Sequence, residues 1–254
     1  MRTLHEILQY SLYVFRRIVH RMFRLFKSLG LCLMALSWRA GVAASGVELA
    51  AAREHMESYS PALVALYDRN RDVLPALQRY VLQQGFNEAH EQLGVLVHEM
   101  IHIESARRGA FWIDGQGYEG YEPTDWPRLA GRDLLLSEVE KAQLGLIYER
   151  YLLRNPETTL RNVVDELNAY SQTAGFICRH FVGGADKQAR PLLGHLALAN
   201  AFLAAYSPGD REKTCGDVST KGVLALIVRN SYKALSACGV YAIPGQGAVR
   251  SCLE

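Results

Sequence analysis

Apolar positions recur with helical spacing from about Gly46 to Gln84. Leu49, Met56, Leu63, Leu66, Leu74, Leu77, Tyr80 and Val81 fall on repeating faces, and Ser60-Pro61 marks a helix start within the stretch. Gly85 interrupts the pattern. A second helix is predicted from Asn87 or Glu88 to Arg108, with Gly109 as its stop. Ser137 and Glu140 form a capping-box pair that opens a helix reaching Arg154, where Asn155-Pro156 ends it. Thr159 caps the next, which runs to Gly183-Gly184. Pro191 opens a further apolar helix closed by Pro208-Gly209, and a last one spans Thr220 to Cys238. Alternating strand patterns and internal repeats are lacking, so the fold class is mainly α.

One segment departs from this rhythm. Between Phe111 and Gly131 the glycines Gly115, Gly117 and Gly120 and the prolines Pro123 and Pro127 are interleaved with Trp112, Tyr118, Tyr121 and Trp126. This predicts a long loop or small β-hairpin, because a loop this long in a compact chain is usually functional or disordered and its aromatic content opposes disorder. Trp112, Tyr118, Tyr121 and Trp126 either cover the core or form the rim of a substrate site.

The N-terminus reads as targeting information. Arg24 and Lys27 precede an apolar run from Leu29 to Trp38 and the small residues Val42, Ala43 and Ala44, the order of a secretory signal cleaved after Ala44. Residues 1–44 are therefore set apart from a main domain at 45–254. Translation from Met22, or retention of the run as a membrane anchor, are the other readings; the run is short beside the roughly 20 residues a bilayer span needs. Export, to a periplasm or the exterior, also suits the cysteines. With Cys32 inside the signal, Cys178, Cys215, Cys238 and Cys252 remain for two disulfides, in any of three pairings.

Composition narrows the partners. The 28 basic and 26 acidic residues leave a formal net charge of +2, with many of the basic ones in the first forty positions. The body is close to neutral and carries no basic stripe with interleaved aromatics, so nucleic acid is excluded as a partner. Membrane contact is expected only if the N-terminal segment is retained.

The string VLVHEMIHIES carries the chemistry. His98 and His102 are four apart on a strongly apolar helix, so both imidazoles share one face and can converge on one zinc ion, Zn2+. Glu99 adjoins His98, where its carboxylate reaches a metal-bound water as general base. A buried helix tolerates two imidazoles and a carboxylate poorly unless something satisfies them.

On this HEMIH segment the chain resembles the zincin metallopeptidases, specifically the gluzincin-like group with a glutamate third ligand on a later helix. The histidine-extended motif of metzincins is absent after His102. The resemblance implies a zincin-like helical domain, a peptide or protein substrate, and hydrolysis of peptide bonds by a zinc-activated water. It points to Glu166, in VVDELNAYSQ, as the third ligand, since Val163, Val164, Leu167 and Phe176 give that helix an apolar side to pack on the motif helix. Asp165 is the expected outer carboxylate orienting a ligand histidine. Tyr170, four residues beyond Glu166, is a candidate donor to a developing oxyanion, and His195 in LLGHLALANAF is a candidate catalytic imidazole; both also read as core residues. Glu104 points away from the two-histidine face, Glu119 and Glu122 are weaker ligands, and His180 belongs near a helix end. The residues before His98 read as helical, whereas gluzincins place a mixed sheet there. A metal-binding or interaction protein without turnover is the other functional reading.

Overall fold

The computed structural model describes residues 44–181, 183–241 and 246–254. The proposed signal segment lies outside them except for Ala44. The long helical pattern after it divides into α1 (Gly46–Tyr59), α2 (Pro61–Arg69) and α3 (Leu74–Gln83). Ser45 caps α1 reciprocally with Glu48, and extended Ser60 before Pro61 separates α1 from α2. The motif helix is α4, Ala89–Arg108, begun by the Glu88 side chain accepting from the Glu91 amide and stopped by Gly109 at φ +61°. A left-handed residue there closes the last turn at no Cβ cost.

The aromatic stretch opens with the predicted hairpin. Strands β1 (Phe111–Ile113) and β2 (Gln116–Tyr118) pair antiparallel, Trp112 opposite Gly117. Asp114 and Gly115 make the turn, both at positive φ, a backbone that suits this short Asp-Gly connection.

Three predicted boundaries shift. The helix opened by Ser137 ends early: α5 is Glu138–Leu144, Gly145 breaks it at φ +52°, and a π-helical turn follows at Tyr148–Leu153. After α6 (Leu160–His180), the next helix starts at Gly184 rather than Pro191. It is α7, Gly184–Ala205, with Pro191 inside it. Proline 191 lacks an amide proton, yet its carbonyl still accepts from His195 Nδ1 at 2.8 Å. The Pro208-Gly209 pair does not only stop α7; it opens the short helix α8, Pro208–Gly216, ahead of α9 (Val218–Ala237) and α10 (Gly247–Leu253).

Helix α6 is the axis, packing on α4, α7 and α9. Its residues Val163, Val164, Leu167 and Ala174 join the larger apolar core with α7 and α9, while Ala169, Phe176 and Ile177 join a second core with α1, α2 and α4. Helices α4 and α6 run antiparallel, His102 standing beside Asp165 and Gly94 against Ile177. Two disulfides select one of the three pairings: Cys178–Cys238 ties α6 to the end of α9, and Cys215–Cys252 ties α8 to α10. No described helix is long and apolar enough to cross a membrane.

Candidate metal centre

The four-residue spacing on α4 brings His98 Nε2 and His102 Nε2 within 3.2 Å. Across the antiparallel pair, Glu166 Oε2 lies 3.5 Å from the first nitrogen and 3.7 Å from the second. Two donors on one tetrahedral zinc, each bonded at about 2.0–2.1 Å, stand roughly 3.3 Å apart. The triangle therefore has the dimensions of one face of such a site, and its donors, two imidazole nitrogens and a carboxylate oxygen, are of the kinds that ion accepts.

The surroundings hold these groups in place. His102 Nδ1 is 3.1 Å from Asp165 Oδ2, which leaves Nε2 to face His98 and Glu166. Asp165 is itself 3.8 Å from Arg161, and its other oxygen is buried without a partner. Burial works against a charge on His102, but the Asp165 and Glu166 carboxylates outweigh it and raise the imidazole well above its ordinary value. Burial likewise opposes ionisation of Glu166, and His102 overrides it, holding that carboxyl well below the usual range.

Glu99 is half-buried. Its charge and that of Glu166 act on the same three phenols, Tyr80, Tyr151 and Tyr170. Burial first, then these carboxylates, push Tyr80 up to about 12 and Tyr151 and Tyr170 higher still, so all three remain protonated donors. The Tyr170 ring meets His98 edge-on with centroids 4.5 Å apart. His195 is fully buried between Tyr151 and Tyr170. Burial depresses its pKa, and since the Pro191 carbonyl can only accept, Nδ1 carries the proton. Nε2 is then a buried lone pair without a partner. His195 stands close enough to feel Glu166, His98 and His102, though its nitrogens lie outside the three-ligand group.

No family model, curated protein or solved structure matches this chain.

Most of the aromatic segment packs into the interior. Trp112, Tyr121 and Trp126 are buried at 1%, 7% and 2% exposure, and among the four only Tyr118 is half-exposed. The Trp126 indole donates to the Gly120 carbonyl at 2.6 Å, and the Arg161 guanidinium lies 3.8 Å from the centre of the Tyr121 ring. Asn168 and Gln172 donate to the Trp112 carbonyl, fixing the hairpin to α6. The polar crowding around Glu166 thus has two purposes, Asp165 toward the site and Asn168 toward the hairpin.

Glu104 faces away as expected, paired with Arg69 and Arg108, and Glu119 accepts from Ser219. His180 is the last residue of α6, but burial and then His90 and His55 lower its pKa, the reverse of what the helix dipole alone would do. Three neighbours of the centre escaped the sequence reading. Tyr80 reads as one more apolar-face position, and Tyr151 and Arg150 sit on a π-helical turn that no local signal marks.

Proposed function

We propose that the chain is a zinc-dependent hydrolase of peptide bonds, similar in its ligand set to the gluzincin-like zincins, with His98, His102 and Glu166 as the metal ligands. The convergence of those three donors into one triangle, with Glu99 on the same helix and Asp165 behind His102, carries the reading. Zinc at such a site supplies a Lewis acid for the substrate carbonyl and lowers the pKa of a bound water toward neutrality.

The chain's own groups do the rest. Glu99 takes the proton from the attacking water and returns it to the leaving amine. Tyr170 donates from its hydroxyl to the carbonyl oxygen as negative charge gathers there, a role open to it because burial and the nearby carboxylates keep the phenol protonated. His195 offers its buried lone pair at the edge of the site as a proton acceptor, held in orientation by the Pro191 carbonyl. The disulfides fit an exported protein of the periplasm or exterior.

Glu99→Gln tests the reading directly. It is expected to keep the wild-type zinc content by elemental analysis and to lose turnover of an unstructured protein substrate by about a hundredfold or more. Undiminished turnover in that variant removes Glu99 from the mechanism. The burial of Trp112, Tyr121 and Trp126 favours one other reading, a zinc-holding interaction protein without turnover, because those rings are not available to bind a peptide. Zinc bound in the wild type and lost in His98→Ala, with no cleavage across a broad peptide library, would select it.

A further inference from the structure

Three more histidines meet at the opposite end of the α4–α6 pair. His55 comes from α1, His90 from the first turn of α4 and His180 from the last residue of α6. Each offers a ring nitrogen lying within 4.8 Å of the other two, and His55 Nδ1 is 2.9 Å from His90 Nε2. The rings stack with centroids 4.9–5.2 Å apart, above the apolar Phe176. His55 and His180 are exposed and His90 is half-buried.

We propose that His55, His90 and His180 form a second metal site, open to solvent, that takes a first-row divalent cation preferring imidazole nitrogen, such as zinc. Two observations support it independently. The His55–His90 nitrogen spacing of 2.9 Å is near the roughly 3.3 Å edge of a tetrahedral zinc site, and exposed His180 places a nitrogen within 4.8 Å of both. His90 Nδ1 is 2.8 Å from Glu88 Oε1, a carboxylate that only accepts, so Nδ1 carries the proton and Nε2 presents its lone pair toward His55. A carboxylate behind a ligand imidazole is how metal sites fix the tautomer and raise ligand basicity. Arg179, next to His180 in the chain, lies over the Tyr59 ring, 5.2 Å from its centre.

Such a site does different work from the HEMIH centre. His90 is eight residues before His98, about 12 Å along the helix at 1.5 Å per residue. A cation bound there cross-links α1, α4 and α6, and so braces the two helices that carry the other ligands. Its occupancy is expected to raise the thermal midpoint of the whole protein and to leave the chemistry of Glu99 untouched.

Zinc titration of the metal-free disulfide-bonded chain, read by calorimetry and elemental analysis, tests this. The wild type is expected to bind two equivalents. His55→Ala with His180→Ala should remove one, and Glu88→Gln should weaken that same one roughly 10–100-fold. In a His98→Ala, His102→Ala background, one equivalent should persist and disappear when His55 and His180 are also replaced. If the His98 and His102 variants lose their helical circular dichroism, the wild-type comparison alone decides. An unchanged stoichiometry in the His55→Ala, His180→Ala chain overturns the second site. A wild type that binds one equivalent, lost in that same variant, upholds the second site and overturns the HEMIH centre instead.

Discussion

If the proposed function holds, Asp165 and Tyr170 separate holding the metal from using it. Asp165 touches His102 at Nδ1, the nitrogen outside the ligand triangle, so Asp165→Asn should weaken zinc binding by roughly 10–100-fold while the ligands stay in place. A competition titration against a chelator reads this, and an unaltered affinity would show that His102 needs no partner. Tyr170→Phe keeps the ring against His98 and removes only the hydroxyl. Zinc content should hold, kcat should fall about 10²–10³-fold and KM should stay nearly constant. A rise in KM with kcat unchanged would instead assign the phenol to substrate binding. The convergence of the two histidines was legible because their spacing is local to one helix. Glu166, on another helix, was reached only through the resemblance to a glutamate-ligand group. His55, His90 and His180 carry no shared local spacing at all, since each comes from a separate helix and only packing brings them together.

At the scale of the elements, everything depends on how closely α4 and α6 approach. Gly94 lies midway between His90 and His98, and a Cβ there would come within 2.4 Å of Ile177 Cγ1 on a buried side chain. Alanine is the better helix former by about 1 kcal/mol, but overpacking costs about 1–3 kcal/mol, so Gly94→Ala should destabilise on balance and loosen zinc. A higher thermal midpoint in Gly94→Ala would show that Ile177 yields freely. The outer end of α4 is held by Glu104, a buried carboxylate bonded to Arg69 of α2 at 3.0 Å and to Arg108 at 2.7 Å. Burial would raise its pKa, but the two arginines prevail and lower it. A depressed carboxyl contributes stability above its unfolded pKa of about 4.3, lost as pH falls through the folded value. Glu104→Gln should therefore cost about 1–2 kcal/mol at neutral pH, modest because both arginines are half-exposed, and the difference from wild type should vanish in acid. A gap that persists undiminished below pH 3 would rule out the charge as its source. Helix boundaries were legible where caps are local, as at Ser137 and Gly109. Gly145 and Pro191 misled because each is a breaker whose effect depends on neighbours: the one turns the chain to positive φ, and the other is accommodated inside α7.

For the whole molecule, the mainly helical class was legible from periodicity, while the burial of the aromatic segment was not, since the same tryptophans and tyrosines suit a rim or a core. The disulfides allow the clearest test of how the assembly supports the centre. Chain-entropy reasoning makes them nearly equal: sequence separations of 60 and 37 residues each imply about 4 kcal/mol, with a difference of only about 0.4 kcal/mol between them. Their positions are not equal. Cys178 is on α6, two residues from His180, and its bond to Cys238 anchors the helix that carries Asp165, Glu166 and Tyr170. Cys215–Cys252 joins α8 to α10, neither of which supplies a ligand. Replacing either pair by serine should therefore lower the thermal midpoint by a similar amount, whereas zinc affinity should fall markedly only for Cys178→Ser with Cys238→Ser. Measuring both quantities on both variants separates stability from site geometry. If the two variants lose zinc in proportion to their loss of stability, the centre depends on the global fold alone and α6 has no special need of its anchor.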